Sequence, residues 1–317
     1  MGVFFNRTYE FYVGEPVPVK KVYAPGDVVV IDNYVDTTSN KKSNPNTFLL
    51  TQHQISFNIK KDKKTEGNKS TITVTNPPKK LVDYLELFST KKIAFILKAG
   101  YAGDNVTIFQ GTIEKFEFKF NGPDSKLEIK GTDAGNNLKE ATSVRSYPVG
   151  TPYSKIAEDL TKDLGLPVGI VTGFIGNTKS PTYISGKTSL NLNWLTKAHN
   201  LDFSVQDGAV YIFPEGKRIK KDVFELKADT GLIGEVEAYN NNSDKQANDT
   251  TGVKPAIKLT SLLNGRIIPN STIYVESSDK RYKGYYKVTE VTHRGEYEGN
   301  SGWFTEIVAT DVGNNTV

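Results

Sequence analysis

Three histidines, His53, His199 and His293, are the residues of this 317-residue chain best suited to proton transfer or metal binding. Their spacing supports neither role. None has a second histidine or a carboxylate one helical turn away, the arrangement that lets two side chains share a metal ion. Each is therefore expected at the surface or on an edge strand. Gly186-Lys187-Thr188 imitates the end of a phosphate-binding loop, but Pro181 stands where the opening glycine is needed. Thr188 reads instead as a helix cap. No Gly-x-Ser-x-Gly elbow presents a serine nucleophile. The chain has no cysteine, which removes disulfides, thiolate metal sites and cysteine nucleophiles together. Carboxylates are plentiful, yet a pair able to cleave a glycosidic bond cannot be picked out by spacing alone. The residue types predict no catalytic group, no metal and no cofactor.

A second feature is a short signature written twice. Glu128-Ile129-Lys130-Gly131-Thr132-Asp133-Ala134-Gly135-Asn136-Asn137 returns as Glu306-Ile307-Val308-Ala309-Thr310-Asp311-Val312-Gly313-Asn314-Asn315, with seven of ten positions identical. Asp133 and Asp311 lie 178 residues apart (311 − 133), a period far too long for a solenoid or a propeller blade. Each copy closes a run of period-2 alternation, so each reads as the last strand of a β-rich unit. The candidate structural residues are Glu128, Ile129, Thr132, Asp133 and Gly135 in one copy, and Glu306, Ile307, Thr310, Asp311 and Gly313 in the other. On one strand face an apolar residue precedes a small one, Ile129 then Gly131 and Ile307 then Ala309, which places a close sheet contact at the same point twice. Asp133 and Asp311 are expected to stop the strand by bonding a backbone N–H two residues on, where Gly135 or Gly313 allows φ > 0.

These strands need a scaffold, and the chain is long enough for two or three domains. A hydrophobic share of 37% with 27 glycines favours strands joined by polar loops. Alternation predicts strands at 3–13 and 27–33, an exposed loop at 35–47, and a hairpin from 54–60 and 70–74. Asn76-Pro77-Pro78 can cap a helix over 77–88 with Leu81, Val82 and Leu85 as its apolar side. Strands follow at 92–99, 105–120 and 126–132. The texture then changes. Thr151-Pro152 opens a helix that Gly165 closes, a second helix spans about 188–199, and Asp207-Gly208 is a strong hairpin turn. Residues 239–252 are too polar to pack and read as an exposed loop. Strands return at 254–262, 271–277, 284–293 and 303–310. The expected division is a β domain over 1–143, an α/β middle module over 144–216 and a second β domain over 217–317.

The formal net charge is +4, and no lysine- or arginine-rich stripe is interleaved with aromatics, so sequence-specific nucleic-acid reading is not supported. The N-terminus lacks the basic and apolar regions of a secretory signal, and no apolar run is long enough to span a bilayer. The chain reads as soluble, without a membrane anchor and made in the cytoplasm.

The C-terminal third carries a specific pattern: Thr230-Gly231-Leu232-Ile233-Gly234, Gly252-Val253, Leu262-Leu263-Asn264, Ile268-Pro269-Asn270-Ser271-x-Ile273, Gly284-Tyr285-Tyr286-x-Val288, Val291-x-His293-x-Gly295-Glu296, Gly299-Asn300 and Trp303-x-Thr305-Glu306-Ile307. It resembles the baseplate hub proteins of tailed bacteriophages. Tyr147-x-x-Gly150-Thr151, Leu164-Gly165-Leu166 and Asp202-Phe203-Ser204-Val205-Gln206-Asp207-Gly208 in the middle module resemble the same family. The resemblance covers about 144–317 and is weaker over 1–143. It departs from the pattern at Gly295-Glu296, where Gly-Asp is expected.

The resemblance implies a mainly β chain with a small α+β middle module and two tail-tube-like antiparallel β-barrel or sandwich domains. A homotrimer of such chains forms a pseudo-six-fold ring between the hexameric tail tube and the trimeric central spike, in contact with other baseplate proteins. DNA is then only passing cargo, and the place of action is the tail baseplate of a virion assembled in the host cytoplasm. A lumen that passes DNA should avoid bare cations, so many of the lysines in 60–69 and 217–221 are expected to point outward or toward partners. Three other readings stand beside this one. They are a tail-associated host-surface or carbohydrate-binding protein, the spike base of a related contractile injection system, and a hub-associated peptidoglycan hydrolase, for which no residues can be assigned.

Overall fold

The computed structural model describes residues 6–14, 35–36, 47–63, 67–102, 104–133, 137–214, 223–239, 256–299 and 302–311. The first group of elements is β1 (Arg7–Gly14), β2 (Val35–Asp36), β3 (Thr47–Leu50), β4 (Ile55–Asp62), β5 (Lys69–Thr75), α1 (Lys79–Leu87), β6 (Ala94–Tyr101), β7 (Asp104–Asn121) and β8 (Asp124–Thr132). The middle group is α2 (Asn137–Glu140), β9 (Thr142–Tyr147), α3 (Tyr153–Leu164), β10 (Val168–Val171), β11 (Thr182–Lys187), α4 (Thr188–Ala198), β12 (Leu201–Gln206) and β13 (Ala209–Pro214). The last group is β14 (Val223–Leu226), β15 (Leu232–Ala238), β16 (Ile257–Leu262), β17 (Thr272–Val275), β18 (Gly284–Tyr297) and β19 (Trp303–Asp311). The protein is mainly β, as expected. The expected strand at 27–33, Gly135, Gly313, and most of the loops at 35–47 and 239–252 lie outside the described residues.

The two β groups form one sheet. Its 14 strands include the path β15-β16-β19-β18-β4-β5-β8-β7-β6-β1-β3-β2, and most neighbours are antiparallel. The joint is β4 against β18, running from Ile55 opposite Tyr297 to Asp62 opposite Glu290. The outer edge of the first hairpin thus continues directly into the last group.

Side-chain alternation sets the faces. In β4, Ile55, Phe57 and Ile59 are buried while Asn58 and Lys60 are exposed. The same period-2 parity carries the next inward position, Lys61, to full burial. The largest apolar cluster gathers Phe11, Ile59, Ile72, Phe95, Leu127 and Ile129, covered by Leu81 and Leu85 of α1. Trp303 from the last strand enters this cluster, T-shaped against Phe57 at 5.1 Å, with its indole N–H donating to the Gly100 carbonyl at 3.2 Å. A separate cluster around Ile257, Ile273, Val291 and Ile307 serves the last group.

The middle module has its own core. Ile156, Leu160 and Leu164 of α3 meet Leu192 and Leu195 of α4 and the β12–β13 hairpin. This core reaches back to Leu138, ahead of the expected boundary at 144. Asp207 and Gly208 take φ of 50° and 80°, the left-handed pair that a tight hairpin turn requires. Gly165 ends α3 at φ 66°. Two expected caps are absent. Asn76 (φ 49°) instead pairs its side chain with Asp124 and Ser125, and Pro78 precedes α1. Thr188 lies inside α4, where its hydroxyl pairs with Ser143 at 2.8 Å.

Candidate functional site

The signature strands β8 and β19 sit in matching three-strand ladders. Ile129 lies between Ile72 and Phe116, and Ile307 lies between Leu259 and Val291. The partner strands β7 and β18 carry a bulge at the same step. Gly131 and Lys130 face Ile113 and Lys115, skipping Glu114, while Ala309 and Val308 face Val288 and Glu290, skipping Thr289. Ile129 and Ile307 are both fully buried, and a Cβ added at Gly131 would lie 2.3 Å from the Phe95 ring. Glu128 and Glu306 stay on the polar face, pairing with Lys130 at 2.9 Å and with Arg294 at 3.5 Å. Thr132 is buried, and Thr310 is half-buried opposite Lys287.

Beyond the ladders the copies diverge. Asp311 is half-buried opposite Tyr286, whose hydroxyl is pushed up to about 12 by burial and then by the Asp311 charge. Asp133 is buried where the first and middle groups of elements meet. Its Oδ1 accepts the Asn68 backbone N–H at 2.8 Å, and its Oδ2 accepts Asn68 Nδ2 at 2.6 Å and the Asp207 N–H at 2.9 Å. Asn68 Nδ2 also lies 3.1 Å from Gln206 Oε1, and Gln206 Nε2 donates to the Asp62 carbonyl at 3.0 Å. Asp62 N–H closes the loop onto Asn68 Oδ1 at 2.9 Å. Lys61 Nζ meets Asp207 Oδ1 at 2.7 Å, and Lys287 meets Asp202 at 3.2 Å. The tip of the β12–β13 hairpin is thereby held by β4, the β4–β5 connection and the end of β8, while β18 holds Asp202 near the hairpin's other end.

Burial, and secondarily the nearby Asp207 charge, raises Asp133 to about 7, while the Asn68 donors and Lys61 pull the other way. His293 departs from its expected surface position. It lies fully buried because β18 is flanked by β4 and β19, so it is not an edge strand. Burial and the Lys61 charge hold it well below the usual histidine range, and its Nδ1 pairs with the Thr305 hydroxyl at 3.0 Å. His53 and His199 are half-buried.

Chemically this is a joint. The carboxylate of Asp133 is saturated by protein N–H donors and shut off from solvent, so it has no access to a substrate. Among the described residues no three His, Asp or Glu side chains stand together where they could hold a metal ion, and no helix is long and apolar enough to cross a membrane. Sequence reading found Asp133 but missed Lys61, Asn68, Gln206 and His293. The one available signal was parity, since counting alternate positions from Ile55 puts Lys61 on the inner face. Of the lysines in 60–69, Lys60 and Lys69 are exposed, Lys63 is half-buried and Lys61 is buried. Residues 217–221 lie outside the described residues.

No protein-family model matches the chain, and no curated protein matches it by sequence. Solved structures do. The 43 kDa tail protein of prophage MuSo2 from Shewanella oneidensis superposes with TM-score 0.57 at 11% identity, covering 83% of this chain and 94% of that one. A tail protein from Neisseria meningitidis gives 0.56 at 9%, covering 83% and 93%. An E. coli component of the type VI secretion system, itself similar to T4 tail proteins gp27 and gp5, gives 0.53 at 11%, covering 82% and 73%. The chain therefore has the fold of bacteriophage tail proteins and of a secretion-system component built like them.

Proposed function

We propose that the chain is the structural hub of a tail baseplate, in a phage or a related contractile injection device. It acts as a homotrimer, without a catalytic role. Each copy contributes two tail-tube-like units that arose by duplication, so the ring is pseudo-six-fold toward the tail tube and three-fold toward the central spike. The observation that carries this reading is the repeated ladder: two copies with the same register and the same bulge, placed edge to edge in one sheet. The fold likeness to phage tail proteins supports it. A Francisella PdpA–VgrG complex contains a similar chain (TM-score 0.59, 11% identity, 100% of this chain and 60% of that one), which supports a spike partner.

The polar face of the ladders supports a channel for DNA. Lys60 pairs with Glu290 at 2.8 Å, Lys119 with Glu117 at 2.7 Å and Lys130 with Glu128 at 2.9 Å, so cations there already hold carboxylates. Such a face gains little from phosphate contacts. Negative-stain electron microscopy of the purified chain should give three-fold particles with an open centre; compact monomers at every concentration would overturn the ring. A host-surface binding role is the second reading, favoured by Tyr183 (70% exposed) and Trp194 (61%) on the middle module. Glycan-array binding lost on Trp194→Ala would establish it.

A further inference from the structure

The middle module turns much of its apolar surface outward. In the ribbon formed by β9 and β11, Ser143, Tyr147 and Ile184 are buried, while the alternate residues Val144, Ser146, Tyr183 and Ser185 are exposed. Val144 faces Ser185 and Ser146 faces Tyr183, so Val144 and Tyr183 are diagonal neighbours on one face. α4 follows β11 directly, and Asn191 Nδ2 donates to the Ser185 carbonyl at 3.2 Å. Trp194 lies one turn beyond Asn191 and Leu190, so this side of the helix borders the edge of β11. Val144, Tyr183, Leu190 and Trp194 are each more than half exposed.

The charges around them are of one sign. No carboxylate occurs between Asp163 and Asp202, a stretch that carries Lys179, Lys187 and Lys197. All three lysines are exposed, and none pairs with a carboxylate among the described residues. Lys187 continues the outward parity of Tyr183 and Ser185, and Lys197 lies three residues beyond Trp194 on α4.

We propose that this face binds an anionic lipid surface, with Trp194, Tyr183, Leu190 and Val144 at the acyl boundary and Lys187 and Lys197 at the phosphates. The contact is reversible and superficial, and it does not depend on the ring reading. Tryptophan and tyrosine rings favour the level between headgroups and acyl chains. Lysine stems can lie along apolar surface while the ammonium stays in water. Each lysine near such a surface adds about fivefold to binding. A protein partner fits less well, because lysine is depleted from protein interfaces. A field of one sign attracts a negative surface without any matched geometry.

The test is co-sedimentation of the full chain with vesicles of equal parts phosphatidylglycerol and phosphatidylcholine, against vesicles of phosphatidylcholine alone. Binding to the anionic vesicles only, weakened by salt, is expected. Of the two tryptophans Trp303 is already buried, so a blue shift of the emission on binding reports Trp194. Trp194→Ala should abolish that shift, and Lys187→Glu with Lys197→Glu should weaken binding at least about twentyfold. These positions are exposed, so both variants should melt like the parent. A chain that ignores the anionic vesicles overturns the proposal. So does binding that survives both variants, which would place the contact elsewhere. Sugar binding lost on Trp194→Ala without vesicle binding, or an assembled baseplate in which a protein covers Trp194, overturns it as well.

Discussion

The ammonium of Lys61 lies 2.7 Å from Asp207 with no solvent exposure of its own side chain, joining the first hairpin of the sheet to the turn of the middle module. An ammonium taken out of water is tolerated only when paired, and removing one partner of a buried pair costs about 3–5 kcal/mol. Asp207→Asn keeps the left-handed turn accessible while removing the charge. Chemical denaturation should show a loss of that size, with Lys61→Met restoring much of it in the double variant. An unchanged midpoint for Asp207→Asn would mean the pair does not hold the module.

Asp133 makes stability depend on pH. Its folded value of about 7 lies above that of an unfolded aspartate, so the folded state holds the proton more tightly. The stabilisation is complete below the unfolded value, near 4, and is lost as pH rises through about 7, with a slope of up to about 1.4 kcal/mol per pH unit. Asp133→Asn should flatten the fall in unfolding free energy between pH 4 and 8. Parallel curves for variant and parent would show that the carboxylate titrates normally.

Much of this fold is visible in the sequence, for reasons particular residues make plain. Ile129 and Ile307 sit in strict alternation, and Asp207-Gly208 has only one comfortable turn geometry, so strand faces and hairpin follow from local chemistry. The joint does not. Asn68, Gln206 and His293 become a site only because β4 meets β18 and the middle hairpin folds onto that seam, contacts separated by 137 residues or more in the bonds from Asn68 to the hairpin. No local period encodes such a meeting. The helix caps failed for a related reason: Asn76 and Thr188 found partners in distant strands that outcompeted their own helix ends.

The repeated isoleucines provide a symmetric test. Ile129→Asp and Ile307→Asp each put an unpaired carboxylate into a fully buried position, in separate clusters. Each should cost on the order of 4–5 kcal/mol or prevent folding. A variant that melts like the parent would show that its strand face had been assigned to the wrong side.

Trp303 tests whether the last strand stabilises the first core. Its ring packs on Phe57, and its backbone carbonyl accepts the Tyr101 hydroxyl at 3.2 Å. Trp303→Ala should cost about 3–5 kcal/mol, with a single cooperative transition if the sheet unfolds as one. Two separated transitions in calorimetry, with only the later group shifted, would show that the interlock is energetically idle.

The Gly131-for-Ala309 difference between the ladders predicts an asymmetry. Gly131 leaves no room for a methyl group, since an added Cβ would press on the Phe95 ring at 2.3 Å and the Thr112 carbonyl at 2.7 Å. Ala309 occupies the corresponding place, fully buried in the second ladder. Gly131→Ala forces the stacked Phe95–Phe109 pair, centroids 5.4 Å apart, to shift. That overpacking should cost about 1–3 kcal/mol. Ala309→Gly removes one buried methyl group and adds chain entropy to the unfolded state, about 1 kcal/mol or somewhat more. Both substitutions should destabilise, each ladder favouring its own residue. A Gly131→Ala variant as stable as the parent would mean that Phe95 relaxes freely and that the close approach is not built into the first ladder.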